Sequence, residues 1–519
     1  MQNRRVKSYL RPTAAALLAA VAVLGTVQAC TDLDESPTST VSPSNYYRTE
    51  QEVLGGLAGV YSSLRSVAGD YWYASEASSD EGIFPTRGSN WLDNGKWIEF
   101  KEQTWTAGSA AAGENINGTF EQFSRGIARA NTVLTSLQPN TVPNQASIVA
   151  ELRALRAYYY YVLNDAFGGV PIDSVPDVKP RERNTRAEVF NYIERELLAV
   201  RTDLPVTRPA SEYGRLTRGA VDAVLASLYL NAQVMSGEVT AAGLQPGPAR
   251  WQDAANFADS IFNSGVYSLA ADWRSNFIPN NDNSPENIFV VRFTNQPGLG
   301  LTIINRMGHY NHYGSPGGWN GFSTPSEAYN AFDDNDQRKQ AFLIGPQVSL
   351  ETGQPITDNT GNPLVLVPEI GNIRQAAENA GIRPYKFTFD PAHAAEHMGN
   401  DYPVFRLAEI YLIKAEAVNE LGRTGEGVDL VNTIRARVFS PPEPLGAEAQ
   451  TQAGLREAIL RERLFELNSE GKRRTDMIRM GVYTSAFQYK EQKEPYRILW
   501  PIPTRQIQTN PLLTQNAGY

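Results

Sequence analysis

The chain has 519 residues, of which 47 are Lys or Arg and 56 are Asp or Glu, for a formal net charge of -9; 41% of residues are hydrophobic and 20% charged. That length allows a substantial buried core, and the balance of apolar and charged residues excludes a disordered chain or a membrane bundle. A net acidic protein also lacks the basic footprint that nucleic-acid binding requires, so no nucleic-acid partner is expected.

Arg4, Arg5, Lys7 and Arg11 form a basic start, followed by an apolar run over 14–24 that ends at Ala29 and Cys30. This is the layout of a secretory signal, with an apolar stretch too short for a membrane span of about twenty residues. Cys30 is the one cysteine of the chain, so no internal disulfide can form and thiol catalysis is excluded from the soluble body. The position predicts a lipoprotein: 1–29 is a lipoprotein signal peptide, and Cys30 takes the lipid after cleavage. Each buried CH₂ adds about 0.8 kcal/mol, so several acyl chains would hold a soluble body on a bilayer. Residues 30–45 are polar, acidic and proline-bearing, and read as a tether.

Thr49 and Glu52 make a capping box ahead of Val53, Leu57, Val60, Tyr61 and Leu64 at helical spacing. A polar, aromatic insertion follows over 71–113. TFEQFSRGIARANTVLTSL then gives a second helix with Phe120, Phe123, Ile127 and Ala130 on one face. In RALRAYYYYVLNDAFGGVPI, residues Leu152, Leu155, Tyr159, Val162, Leu163 and Ala166 share a helix face, and Gly168, Gly169 and Pro171 end it. Four successive tyrosines cannot all point one way, so some hydroxyls are expected to reach water. VFNYIERELLAV, AVDAVLASLYLNAQVM and WQDAANFADSIFNSGVYSL supply further helices. Residues 273–402 are irregular, with strand-like NIFVVRF and YKFTFD, and helices resume over 405–480. Pairs of helices with large apolar, small alanine and glycine-turn positions resemble tetratricopeptide organisation. The expected fold is mainly α: a tetratricopeptide-like helical-pair scaffold with long irregular insertions and a few short strands. The helix REAILRERLFELNSE reads as amphipathic with surface ion pairs, so Lys472, Arg473 and Arg474 need mark no anion site.

Catalytic signatures are sparse. HAAEH at 393–397 matches an inverted zinc-peptidase pattern, but it follows Asp390 and Pro391 in a loop-rich stretch and reads as a solvated short turn of helix. DDND at 333–336 and NNDN at 280–283 lack a complete calcium loop and read as turns. No phosphate loop, dinucleotide fingerprint or nucleophile elbow is present, so no cofactor, metal or catalytic residue is assigned. Carboxylate pairs for glycoside hydrolysis stay open, because their separation is spatial.

RALRAYYYYVLNDAFGGVPI, GRLTRGAVDAVLASLYL, FRLAEIYLIKAEAVNELG, RERLFELNSEGKRRTDMIRMG and the closing ILWPIPTRQIQTNPLLTQNAGY occur in this order. Together they resemble the SusD/RagB family of nutrient-uptake lipoproteins over nearly all of the chain after Cys30. Arg474 and Thr475 depart from the aromatic that relatives often carry before Asp476. The resemblance implies residues 46–272 as a SusD-like N-terminal region and 273–519 as a RagB/SusD C-terminal region. It further implies a location at the outer membrane, lipid-anchored and surface-exposed, and a partnership with a TonB-dependent, SusC-like transporter to which glycans are delivered.

Four tryptophans, Trp72, Trp91, Trp97 and Trp105, fall in the first insertion, and HYNHYGSPGGWNGF at 309–322 adds Tyr310, Tyr313, Trp319 and Asn320. Aromatic faces stack on the C–H face of a sugar while Asp, Asn and Arg meet its hydroxyls. The expected glycan ligands of this pattern are Trp72, Arg87, Trp91, Asp93, Trp97, Tyr313, Trp319 and Asn320. The competing readings are a glycoside or zinc hydrolase, and a helical-repeat scaffold that binds peptide or protein.

Overall fold

The computed structural model describes residues 46–519 other than Val178 and Pro316. The signal peptide, the lipidation of Cys30 and the tether over 30–45 lie outside the described residues. Residues Tyr47–Tyr519 form one compact unit.

Helix α1 (Glu50–Tyr61) starts at the capping box, where Thr49 Oγ1 accepts from Glu52 N at 3.3 Å and Glu52 Oε2 accepts from Thr49 N at 3.1 Å. Then come α2 (Asp70–Ala77), α3 (Lys96–Glu102), α4 (Asn117–Ser136), α5 (Gln145–Phe167), α6 (Arg186–Val200), α7 (Arg218–Leu230) and α8 (Trp251–Asn263). After the long insertion come α9 (Leu407–Glu420), α10 (Thr424–Val438), α11 (Gln452–Leu467) and α12 (Arg473–Arg479). The chain is mainly α, and its helices pack as pairs: α1 with α4, α5 with α6, α7 with α8, and α9 with α10. Helix α8 also packs on α9, which carries α11 on its other side.

Helix α5 is the axis of this arrangement. From Ala154 to Phe167 every residue is buried, so the helix is enclosed all round. Three of the four tyrosine hydroxyls expected to reach water or fill grooves are instead satisfied inside the protein. Tyr159 OH donates to Val60 O at 2.6 Å, Tyr160 OH accepts from Asp173 N at 2.7 Å, and Tyr161 OH pairs with Ser227 Oγ at 2.8 Å. Neighbouring elements supply the partners that water would otherwise provide. Gly168, at φ 73°, ends the helix in a conformation that side-chain-bearing residues rarely adopt.

Strands β1 (Asn287–Val291) and β2 (Tyr402–Arg406) pair antiparallel, with Asn287 opposite Arg406 and Val291 opposite Tyr402. They close the base of the long insertion and deliver Arg406 to the start of α9. YKFTFD forms no strand. Its side chains plug inward instead: Lys386 Nζ donates to Glu466 O at 2.7 Å and Asn468 O at 3.0 Å, and Phe387 stacks on Tyr402.

The reading of α11 as a helix with surface ion pairs is overturned. Glu462, Arg463, Glu466 and Glu470 are buried; the long insertion and the neighbouring helices supply their partners, with Arg463 paired to Glu409 and Asp476. Arg406 reaches Glu466 at 2.7 Å and Glu470 at 2.7 Å, Arg338 reaches Glu466 at 2.9 Å and Asp336 at 2.7 Å, and Lys386 reaches Glu470 at 2.5 Å. Burial opposes the charge on Glu466, but Arg437, Arg406 and Arg338 outweigh it and hold the carboxyl well below the ordinary range. Arg473 pairs with Asp80 and Arg474 with Asp165, each at 2.7 Å. These two cations are fully committed inside the protein.

Candidate functional site

The first insertion and the 302–323 segment meet around Phe84. Trp97 stacks on Phe84 with ring centroids 4.2 Å apart, and its Nε1 donates to Asp93 Oδ2 at 2.5 Å. The turn before it is tight, with left-handed backbone at Trp91 (φ 61°) and at Asn94 (φ 53°). This turn carries the Trp91 ring over Phe84 at 5.1 Å and edge-on to Trp97 at 5.7 Å. Trp91 Nε1 donates to Trp319 O at 2.8 Å, which joins the two insertions. A side chain at Gly321 would run into the Trp91 ring, so glycine is what lets the segments close.

Trp91 and Trp319 are the two half-exposed indoles of this cluster. Trp319 lies 4.6 Å from the Arg306 guanidinium, whose other face covers Tyr73 at 4.2 Å. Arg306 is fixed by donation to Thr302 Oγ1 at 2.9 Å. Polar groups rim the rings. Exposed Asn90 donates to Tyr310 OH at 2.7 Å, and half-buried Asp70 accepts from Asn115 Nδ2 at 2.8 Å. Burial raises the Asp70 carboxyl against the pull of Asn115, Lys96 and Arg306. Aromatic faces, a cation, a carboxylate and neutral donors thus converge on one rim. That set can grip a polyhydroxylated ligand by stacking and hydrogen bonding.

The predicted ligand residues do not share one environment. Trp91, Trp319 and exposed Asp93 lie at the rim. Trp97 is buried directly beneath it, 3% exposed. Trp72 is wholly enclosed, and its Nε1 donates to Ser469 O at 3.0 Å. Tyr313 is buried against Phe389, with its hydroxyl donating to Asn305 Oδ1 at 2.7 Å. Arg87 and Asn320 are buried in a clamp that positions Trp319. Arg87 donates to Asn320 O at 2.8 Å, Gly321 O at 2.9 Å and Ala380 O at 2.7 Å, while Asn320 Oδ1 accepts from Arg383 at 2.7 Å. Burial lowers Arg87 to about 9, so it still carries its charge at neutral pH.

Asp70, Asn90 and Arg306 join the rim although sequence reasoning passed over them. Arg306 had a signal: it is the one charged residue in LTIINRMG, just before the glycine-rich loop. The HAAEH stretch is a tight turn closed by mutual backbone bonds of Ala394 and His397, with Ala395 left-handed, and not a turn of helix. Its imidazoles serve different neighbours: His393 Nδ1 lies 2.7 Å from Ala395 O, and His397 Nε2 accepts from Gly298 N at 2.9 Å. That geometry does not present both rings to one metal. Asp336, in the DDND stretch, is committed to Arg338.

The fold is thus a mainly α, paired-helix scaffold that carries an aromatic cluster on irregular loops. The sequence matches the SusD family over residues 257–497 and the family described as starch-binding associating with outer membrane over 33–230. The chain belongs to the SusD/RagB family. It is 24% identical to a SusD-like protein of Formosa agariphila, over 94% of this chain and 96% of that one. It is 22% identical to the starch-binding protein SusD of Bacteroides thetaiotaomicron, over 98% and 99%. Among solved structures, a laminarin-binding SusD-like protein superposes with a TM-score of 0.73 at 23% identity, covering 91% of this chain and 100% of that one.

Proposed function

We propose that this protein is a glycan-binding lipoprotein of the outer membrane, anchored through Cys30, which holds oligosaccharide on the Trp91–Trp319 rim and passes it uncleaved to a TonB-dependent, SusC-like transporter. The observation that carries the reading is the bond from Trp91 Nε1 to the Trp319 carbonyl, which ties together the two segments that carry these half-buried tryptophans. Asp70, Asn90, Arg306 and Tyr310 supply the hydrogen bonds that sugar hydroxyls need. The relatives point the same way, since one is named for starch and another for laminarin. The signal sequence and Cys30 support the anchor.

A glycan array followed by calorimetry on the best hits tests the proposal. Saturable binding that is lost in Trp319→Ala, with no shortened product after prolonged incubation, is the expected result. Product release would favour a glycoside hydrolase. No binding across the array, with a protein partner co-purifying, would favour a protein-binding scaffold. Recovery of a barrel transporter with the detergent-solubilised protein tests the partnership, and mass spectrometry of the N-terminal peptide tests acylation of Cys30.

A further inference from the structure

Far along the chain from the aromatic segments, the Gly168–Gly169 stop of α5, the start of α6 and the C-terminal tail enclose a cleft of about 650 Å³. Its lining contains no aromatic ring, so it is not built to stack a neutral sugar. What it contains is Arg186, nine-tenths or more buried, with Nε and Nη1 enclosed and without a hydrogen-bond acceptor. Arg186 forms no ion pair among the described residues. Nearby Asp165 is committed to Arg474 at 2.7 Å.

Two features of the placement oppose this cation. Arg186 is the first residue of α6, directly after the capping Thr185. Helix N-termini carry partial positive charge, and cations belong at the other end. Buried guanidinium groups are ordinarily paired. Neighbouring Arg183 shows what an internal role looks like. It donates to Gly169 O at 2.6 Å, Thr514 O at 2.9 Å and Asn516 Oδ1 at 2.6 Å, tying the end of α5 to the tail. Glu188 is used in the cap, accepting from Thr185 N at 2.7 Å, and Glu238 stands exposed at the rim. Arg186 therefore has an unmet need for an anion, in a cleft large enough to admit one.

We propose that this cleft is a second ligand site, which takes the oxyanion of a small acidic molecule, a carboxylate or a sulfate, on the Arg186 guanidinium at the start of α6. Burial pulls Arg186 down to about 10, so the group stays charged at neutral pH. Arg186 lines the cleft at the start of the helix, where the helix terminus also favours an anion.

The test is thermal unfolding of the purified full-length protein in detergent, in sodium sulfate or sodium D-glucuronate, at ionic strength matched with chloride. The melting temperature should rise saturably with at least one of the two anions. A rise with both marks a general oxyanion site, and a rise with glucuronate alone marks a site for acidic sugars. Arg186→Met should abolish the rise and should melt higher than wild type in chloride alone, because an unpaired buried charge has gone. Arg186→Lys should weaken anion binding about tenfold, since a point charge replaces a fork. Trp319→Ala should leave the rise intact, which separates this site from the glycan rim. An anion effect of equal size in Arg186→Met, or no saturable rise with either anion, overturns the proposal.

Discussion

Trp72 and Trp319 belong to one aromatic system and do opposite work. Trp72 has no exposed surface, spends its N–H on Ser469 O and meets Phe322 and Tyr73 with its ring. Trp105 is enclosed in the same way, with its N–H donating to Tyr519 OH at 2.8 Å. Trp319 and Trp91 sit at the other edge, half open to solvent, and are aimed by buried Arg87, Asn320 and Arg383. The difference teaches that a dense run of tryptophans marks a wall with two sides. The inner side holds the insertions on the scaffold, and only the outer side is available to a ligand.

The largest expected effects test the inner side. Trp72→Ala should lower stability by about 3–5 kcal/mol, as large-to-small changes of enclosed aromatics do. Arg406→Met should cost a similar 3–5 kcal/mol or so, because it removes a buried cation shared by Glu466, Glu470 and Glu286 and leaves the interior with excess negative charge. Denaturant unfolding measures both. The native fraction of either variant should keep its glycan affinity, and a selective loss of affinity would erase the distinction between wall and rim. Next comes the outer side. Trp319→Ala should leave stability within about 1 kcal/mol of wild type and cost about 2 kcal/mol of glycan binding, or roughly thirtyfold in Kd. Arg306→Ala removes the guanidinium between Tyr73 and Trp319 and should cost about 1 kcal/mol of binding by calorimetry.

Local chemistry was legible in the sequence and distant pairing was not. The Thr49–Glu52 capping box, the glycine stop after Phe167 and the periodicity of α5 each depend on residues a few positions apart, and each is where it was expected. The two aromatic segments were also identified, though their composition could not say which rings face outward, because that depends on what packs behind them. Trp72 and Trp91 look alike in sequence, and only the partners Ser469 and Trp319 tell them apart. The buried charge lattice was misread for the same reason. Glu466 has neighbours at helical spacing that imitate a surface ladder, but Arg338 lies 128 positions away and Arg406 lies 60.

The smallest effect falls on the joint between wall and scaffold, and it can be read as a pH dependence. Glu76 Oε1 accepts from Gly471 N at 2.7 Å, and Glu81 Oε1 accepts from Ser469 N at 3.2 Å. Burial raises both carboxyls above the ordinary glutamate range and outweighs Lys386 and Arg473 nearby. The folded protein therefore holds a proton here that the unfolded chain releases above about 4.5, its ordinary value. Stability from this joint is present in acid and is lost as pH rises, with a slope of at most about 1.4 kcal/mol per pH unit for each proton involved. The lattice carboxylates Glu466 and Glu470 are held below their ordinary value, so their contribution is lost in the opposite direction, as pH falls. Glu76→Gln should flatten the decline above pH 4.5 and leave the acid limb unchanged, which unfolding titrations of both proteins across pH would show. A variant that altered the acid limb instead would mean that the joint and the lattice titrate as one network.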